Sequence, residues 1–429
     1  MHEAASGDSQ PGALRRQLGL SDAVVIGLGS MVGAGIFAAL GPAARAAGSA
    51  LLPALGIAAL VAYCNATSSA RLAARFPASG GTYVYGRARL GEFWGFLAGW
   101  GFVVGKTASC AAMALTVGAY VWPGREHAVA VAAVLVLTAV NYAGVQKSAL
   151  LTRLIVTVVL AVLASVVIAV AVSVGTSSGP AWSDRLALGD GVTPGGVLEA
   201  AGLLFFAFAG YARIATLGEE VRDPQRTIPR AVPLALGIAL AVYAAVSVAV
   251  LAALGPLGLA EATAPLADAA RAADAEWLVP VTRVGAAVAA LGSLLALILG
   301  VSRTTLAMAR DRNLPHGLSA VHPRFQVPHR AELAVGAVVA VAAATVDLRE
   351  AIGFSSFTVL AYYAVTNASA RTLTPAEGRP PRIVPLAGLA GCALLAFALP
   401  TASVVAGSAV LGAGALFYGV RGLTQHRGA

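Results

Sequence analysis

Gly29–Phe37 reads GSMVGAGIF and lies inside an apolar run covering residues 18–47. Gly29, Gly33 and Gly35, with Ser30 among them, are a poor filling for a helix. Each glycine costs about 1 kcal/mol against alanine in a helix interior. A helix that only crosses a bilayer gains nothing from that. Two readings are open here. Gly29 and Gly33 fit the small-xxx-small spacing of close helix packing. Alternatively, the helix opens at mid-membrane and offers bare backbone to a ligand, as in many secondary transporters. A dinucleotide fingerprint is excluded. Between Gly29 and Gly33 stand three residues where two are needed, and no strand pattern precedes them.

The surroundings of this stretch set the class. The 429 residues are 58% hydrophobic and 11% charged, against about 25% charged in soluble domains. Apolar runs long enough to cross a bilayer, about 20 residues, fall near 18–47, 51–73, 93–120, 128–145, 154–174, 197–218, 231–254, 277–309, 331–348, 351–370, 383–400 and 402–420. The expected fold is an all-α polytopic membrane protein with 12 transmembrane helices, the last two being the shortest. Residues 1–17 are polar, without the apolar core of a cleavable leader.

An even number of spans puts both termini on one side. Most of the 29 Lys and Arg residues fall on that side, among them Arg15, Arg16, Arg71, Arg75, Lys147, Arg153, Arg222, Arg303, Arg330 and Arg427. Arg45, Arg125, Arg185, Arg271, Arg283 and Arg349 fall on the other. The positive-inside bias therefore places both termini in the cytoplasm of a plasma (inner) membrane protein. It also accounts for the net charge of +9, which makes no case for nucleic acid. Cys64, Cys110 and Cys392 lie in spans without metal-ligand spacing and read as small apolar fillers.

Two cations, Lys106 and Arg213, fall inside spans. A charge at the bilayer centre costs about 2.5–3.5 kcal/mol on insertion scales and is a functional-site candidate. For Lys106 the rival reading is a lysine bonded to carbonyls of a broken helix or reaching a water-filled cleft. The sixth span repeats the feature of the first: Phe205, Phe206, Phe208, Ala209 and Gly210 put aromatics and a glycine at mid-span, and Arg213 follows. The offset from Gly33 to Gly210 carries the first five spans (residues 18–174) onto the next five (197–371). Five spans per half is odd, so the halves enter from opposite sides. Paired interruptions in a 5+5 inverted repeat mark a binding site. Residues 175–196 then read as an external loop, 372–420 as helices 11 and 12, and 421–429 as a tail.

The connections add detail. In Arg75–Gly101, Pro77, Gly80 and Gly81 mark a turn, while Tyr83, Tyr85, Trp94 and Trp100 suit the headgroup level. Gly95, Gly99, Gly101 and Gly105 give the third span a face for close packing, here expected to meet the first. Glu219, Glu220, Arg222, Asp223, Arg226 and Arg230 form a charge cluster suited to a latch or to plain solvation. His316, His322 and His329 lack zinc-site spacing and read as surface residues. Ser355, Ser356, Thr358, Tyr362, Tyr363, Thr366 and Asn367 are polar for lipid and are expected to face a pathway.

Gly29–Phe37, Arg75–Trp100, Phe205–Val232 and Ser302–Ala331 together resemble the amino acid–polyamine–organocation (APC) superfamily of permeases, across spans one to ten. The resemblance implies the inverted-repeat fold of the bacterial leucine transporter, with helices 1 and 6 broken at the site. It implies a substrate carboxylate clamped at Ser30, Gly33, Ala34 and Gly35. It implies an α-amino group received by carbonyls of Phe205, Phe208 and Ala209, with Phe206 or Phe208 as lid. Helix dipoles agree with that polarity. Three departures stand out. Ile155–Val172 lacks the ionisable residue that several proton-coupled relatives carry in helix 5. Ala212 stands where relatives with cationic substrates often have an acid. Lys106 is not part of the general pattern.

The sequence thus points to a secondary active transporter of an amino acid, neutral or acidic by preference, coupled to a proton or sodium. An exchanger of the same fold and a non-transporting sensor or scaffold are the rivals. No HExxH, GxSxG or paired intramembrane carboxylates support an enzyme, and no motif implies a cofactor or metal.

Overall fold

The computed structural model describes residues 18–76, 80–144, 149–176, 185–189, 191–215 and 220–426. Arg15, Arg16, Pro77, Lys147, Glu219, Arg427 and most of the loop after residue 176 lie outside them. Among the described residues the chain is helical, and the only β pairing is a single parallel bridge between Leu18 and Val221.

The first apolar run gives α1 (Leu20–Met31), α2 (Ala34–Ala38) and α3 (Leu40–Ala47). Gly48, at φ 57°, turns the chain into α4 (Leu51–Arg75). A short α5 (Thr82–Leu90) leads into α6 (Glu92–Val121), α7 (Glu126–Tyr142) and α8 (Ala149–Thr176). The second half runs through α9 (Pro194–Phe208), a 3₁₀ turn (Ala209–Tyr211), α10 (Ala212–Ala215) and α11 (Pro224–Glu261). It continues with α12 (Pro265–Ala272), α13 (Leu278–Arg310), α14 (His329–Thr345) and α15 (Leu348–Arg371). The chain ends with α16 (Ile383–Ala398) and α17 (Thr401–His426). Every apolar run read from the sequence holds a helix. Among the described residues eight stretches are long and apolar enough to cross a membrane, and α7 and α16 are shorter apolar helices. α11 bends at Gly255, whose φ of 67° suits glycine, just before Pro256.

Helices α1, α9 and the middle of α11 form the buried centre, closed in by α4, α6, α13 and α15. The glycines of α6 serve this packing, but not against the first span. A Cβ on Gly105 would run into the Thr358 side chain of α15, and one on Gly95 would stand 2.8 Å from the Arg87 backbone. Glycine spacing shows that a helix wants a close neighbour; it does not say which.

The polar residues of α15 hold helices together. Ser355 pairs with Ser109, Thr366 with Thr82, and the Asn367 carbonyl oxygen accepts from Ser68 at 2.7 Å. Asn367 also donates to Asn65 at 2.6 Å. They are buried in contacts, not set along an open pathway. Tyr83 and Tyr85 are likewise buried, while Trp94 is exposed. His322 and His329 pack in an aromatic cluster with Tyr142 and Phe325.

α5 is tied down at both ends. Its first residue, Thr82, donates its backbone N–H to the Tyr362 hydroxyl at 3.0 Å. Tyr83 donates its hydroxyl to Asp311, which also takes Arg87 at 2.8 Å. Burial first, and then the Asp311 carboxylate, push the Tyr83 hydroxyl up to about 12. Asn313 joins Tyr83 to Arg421 near the end of α17. Farther along, Arg89 and Arg75 meet Glu377. The Thr374 backbone N–H and then Arg89 hold that carboxyl down at about 2.

Candidate functional site

The first helix is interrupted where the glycines predicted. α1 stops at Met31, and Gly33 caps the new start at Ala34. Two residues, Val32 and Gly33, leave the helical path. The first N–H groups of a restarted helix have no partner within it, and here they belong to the segment Gly33–Ile36. The sixth apolar run behaves differently. Phe208, Ala209 and Ala212 keep right-handed helical angles, and Ala209–Tyr211 tightens into a 3₁₀ turn. An opened backbone was expected there; a tightened one is found. The Ala209 N–H still reaches the Phe205 and Phe206 carbonyls, which leaves the Phe205 carbonyl engaged.

Glycine earns its place at both positions through contact. A Cβ on Gly210 would collide with the Ser30 carbonyl and stand 2.7 Å from the Met31 nitrogen. A Cβ on Gly35 would stand 2.6 Å from the Ala207 Cα. The two interrupted helices therefore touch backbone to backbone, each through a glycine of its own. Gly33 faces Ser293 of α13, where a Cβ would stand 2.8 Å from the Ser293 Cβ. The Ser293 hydroxyl donates to the Gly29 carbonyl at 3.3 Å. Gly29 itself packs toward Thr152 and Val156 of α8. Both opening readings of Gly29–Phe37 hold together: the helix is broken, and its glycines are packed.

The aromatics line up around this contact. Phe208 packs on Tyr243 with ring centres 5.1 Å apart, and Phe205 meets Tyr363 edge-on at 5.9 Å. Phe205, Phe206, Phe208 and Ala209 are all buried. Ser30 turns its hydroxyl back to the Ile26 carbonyl at 3.0 Å. Ala34 is fully buried.

Lys106 is buried at 7% exposure, and its ammonium donates to the Ala209 carbonyl at 3.4 Å. The contact is with the sixth-run turn, not with the first break. Arg213 sits one helical turn on, within the electrostatic reach of Glu220 and Arg303. Lys106 thus belongs to the sixth-run turn, whereas Arg213 belongs to the end of the bundle that carries the 220–230 cluster.

One residue escaped the sequence reading. The Tyr243 hydroxyl of α11 lies 2.6 Å from the Met31 carbonyl and 2.9 Å from the Ala207 carbonyl. It has one proton, so it can donate to only one of them at a time. It ties the end of α1 to the end of α9. A single tyrosine in an apolar run gives no sign of this, because its partners come from other helices. Tyr243→Phe leaves buried carbonyls without their donor, at a cost of about 1–3 kcal/mol to the closed arrangement. The expected result is slower uptake in proteoliposomes with normal insertion, and faster amide exchange confined to residues around Met31 and Ala207. Parent-like exchange in both segments would show that the hydroxyl holds nothing.

Two cavities flank this centre, and neither is lined by a residue of the breaks. One, about 670 Å³, lies beyond the far ends of α3 and α6 and is edged by Arg45, Glu126, Glu261 and Arg349. The other is an apolar groove on the flank of α6. No group of three or more potential metal ligands occurs among the described residues.

Comparison with known proteins agrees with this architecture. A family model described as amino acid permease matches residues 18–420. An uncharacterized transporter of Mycobacterium tuberculosis (strain ATCC 25618 / H37Rv) is 72% identical over 97% of this chain and 94% of its own length. The branched-chain amino acid permease BcaP of Bacillus subtilis (strain 168) is 26% identical, over 95% of this chain and 88% of its own. The vacuolar cationic amino acid transporter 2 of Arabidopsis thaliana is 29% identical, over 84% of this chain and 60% of its own.

Proposed function

The chain belongs to the amino acid permease family, and from that premise we propose that it is a secondary active transporter moving a neutral or acidic amino acid by alternating access. The observation that carries this is the meeting of two glycine-interrupted helices, Gly210 on Ser30 and Gly35 on Ala207, at a buried lysine. A scaffold has no use for helices weakened at matching positions. In this reading the protein has twelve spans in a 5+5 inverted repeat (residues 18–174 and 197–371). Helices 11 and 12 follow, and both termini face the cytoplasm. The Arg-rich connections support that orientation in an inner membrane.

The substrate lies between the breaks, which are packed together in the present arrangement and part when the site opens. Its carboxylate goes to the N–H groups at Gly33, Ala34 and Gly35, with Ser30 beside them. Its ammonium goes to the sixth-run carbonyls, where Lys106 now sits on Ala209. Lys106 is then a tethered occupant of the amine seat. It must swing away for the substrate to bind, and that movement makes it the candidate for proton coupling. Sodium between the first and eighth spans, near Ser293, is the alternative coupling site.

Substrate charge follows from the same residues. Lys106 meets the sixth-run turn, no hydrogen bond or ion pair joins a carboxylate to either break among the described residues, and Ala212 replaces the acid of cation carriers. The aromatic walls favour an apolar side chain, as the name of the Bacillus relative suggests for its own substrate. Uptake of a labelled neutral amino acid into proteoliposomes is expected to be inhibited by other neutral or acidic amino acids and not by arginine or lysine. Saturable arginine uptake with no response to neutral amino acids would favour the cation reading and the Arabidopsis relatives. Absence of uptake and of exchange for all twenty would favour a sensor.

A further inference from the structure

The flank of α6 opposite the breaks carries an apolar groove of about 610 Å³. Its floor is α6 from Trp100 to Ala111, and α14 and α17 form its sides. At 1.5 Å per residue the floor is about 16 Å long, roughly half the hydrocarbon core of a bilayer. That is the reach of one acyl chain in one leaflet. Trp100 closes one end and is fixed by its indole N–H to the Val410 carbonyl at 2.9 Å.

The charged residues stand at the ends, and they differ. At the Trp100 end Leu314 and Leu318 line the groove, and the exposed Arg310, Arg312 and Arg330 flank them in the chain. Arg330 reaches back to the Gly317 carbonyl at 3.5 Å, which holds it at this end. On the groove wall, Thr305 is 4% exposed and its hydroxyl has no hydrogen-bond partner among the described residues. A buried hydroxyl without a partner is costly, and in a groove it is the natural donor to an ester carbonyl. At the other end stands Glu350, a carboxylate with no place for an anion.

We infer that this groove is a specific site for an anionic phospholipid, with one acyl chain along α6, the glycerol ester at Thr305 and the phosphate toward Arg330 and Arg312. A lipid is the occupant, not a second copy of the chain. The groove floor is about one acyl chain long, its lining is almost wholly apolar, and the arginines stand at one end only. The site matters for transport because its floor is the helix that carries Lys106, and Thr107 is part of that floor. The inference does not rest on the identity of the amino acid carried.

The test is native mass spectrometry of protein released from nanodiscs of equal phosphatidylglycerol and phosphatidylcholine. The parent is expected to retain one phosphatidylglycerol through delipidation. Arg330→Gln together with Arg312→Gln should lower its preference for phosphatidylglycerol by about fivefold per arginine. Val338→Trp, which fills the groove from an exposed position, should remove the retained lipid without changing the fold measured by circular dichroism. Equal retention of both lipids by parent and variants, as for an ordinary annulus, overturns the proposal. So does a dimer that survives delipidation and is lost in Val338→Trp, since the groove would then seat a second copy. Loss of the lipid with unchanged amino acid uptake would leave the site standing and overturn its link to transport through α6.

Discussion

Gly210→Ala is expected to reduce uptake to background while the protein still inserts and purifies as a monodisperse species. The added methyl has nowhere to go. It would collide with the Ser30 carbonyl and lie 2.7 Å from the Met31 nitrogen, and both are backbone atoms that cannot rotate away. Overpacking of this kind costs about 1–3 kcal/mol when a core can adjust, and here it must part the two helices that define the site. Gly33→Leu should do the same through Ser293, and Gly210→Leu more severely. Gly237→Ala is the control. It lies in α11 with nothing within 4 Å of the new Cβ, so transport should be unchanged and stability should rise by about 0.5–1 kcal/mol. Normal transport by Gly210→Ala would remove the basis of the site.

Lys106→Gln should separate binding from accumulation. The amide keeps a donor for the Ala209 carbonyl and removes the ammonium. If Lys106 carries the coupled proton, the variant binds substrate, measured as a ligand-dependent rise in unfolding temperature. It exchanges substrate across the membrane but no longer concentrates it when a pH gradient is imposed. Accumulation equal to the parent would make Lys106 a structural donor and send the search to the carbonyls of α1 around Ser293. The charge is costly where it lies, at several kcal/mol on insertion scales. Such a cost is hard to sustain for a single hydrogen bond at 3.4 Å, which supports a working role.

Much of this was legible in the chain because a bilayer demands apolar length. Every apolar run that a composition window finds holds a helix, and Gly33 marks the break in the first. What the sequence hid was tertiary. Gly210 was read as a sign of an opened backbone, but it is a sign of contact: small residues permit a tight 3₁₀ turn as readily as an unwound one. Gly105 of α6 meets α15, Gly95 meets α5, and Lys106 meets the sixth run, because spacing fixes a face and not the neighbour that fills it. Tyr243 could not be found at all. Nothing in its own helix separates a tyrosine that joins two broken helices from one that fills space. The polar residues of α15 were assigned to water by composition, yet each has a side-chain partner from α4, α5 or α6 or a carbonyl of its own helix, or packs away from solvent.

The tether of α5 differs in kind from the closure at the breaks. Arg87 with Asp311, and Arg75 with Glu377, are charged pairs with at least one partly exposed member, while Arg89 with Glu377 is more buried. The breaks are shut by uncharged backbone in van der Waals contact. Dissolved ions screen the first over about 8–10 Å at physiological strength and leave the second untouched. The molecule therefore has one end that responds to the ionic medium and a centre that does not. The aqueous phase bathing α5 can loosen that end, while the contact of Gly210 with Ser30 stays indifferent to salt.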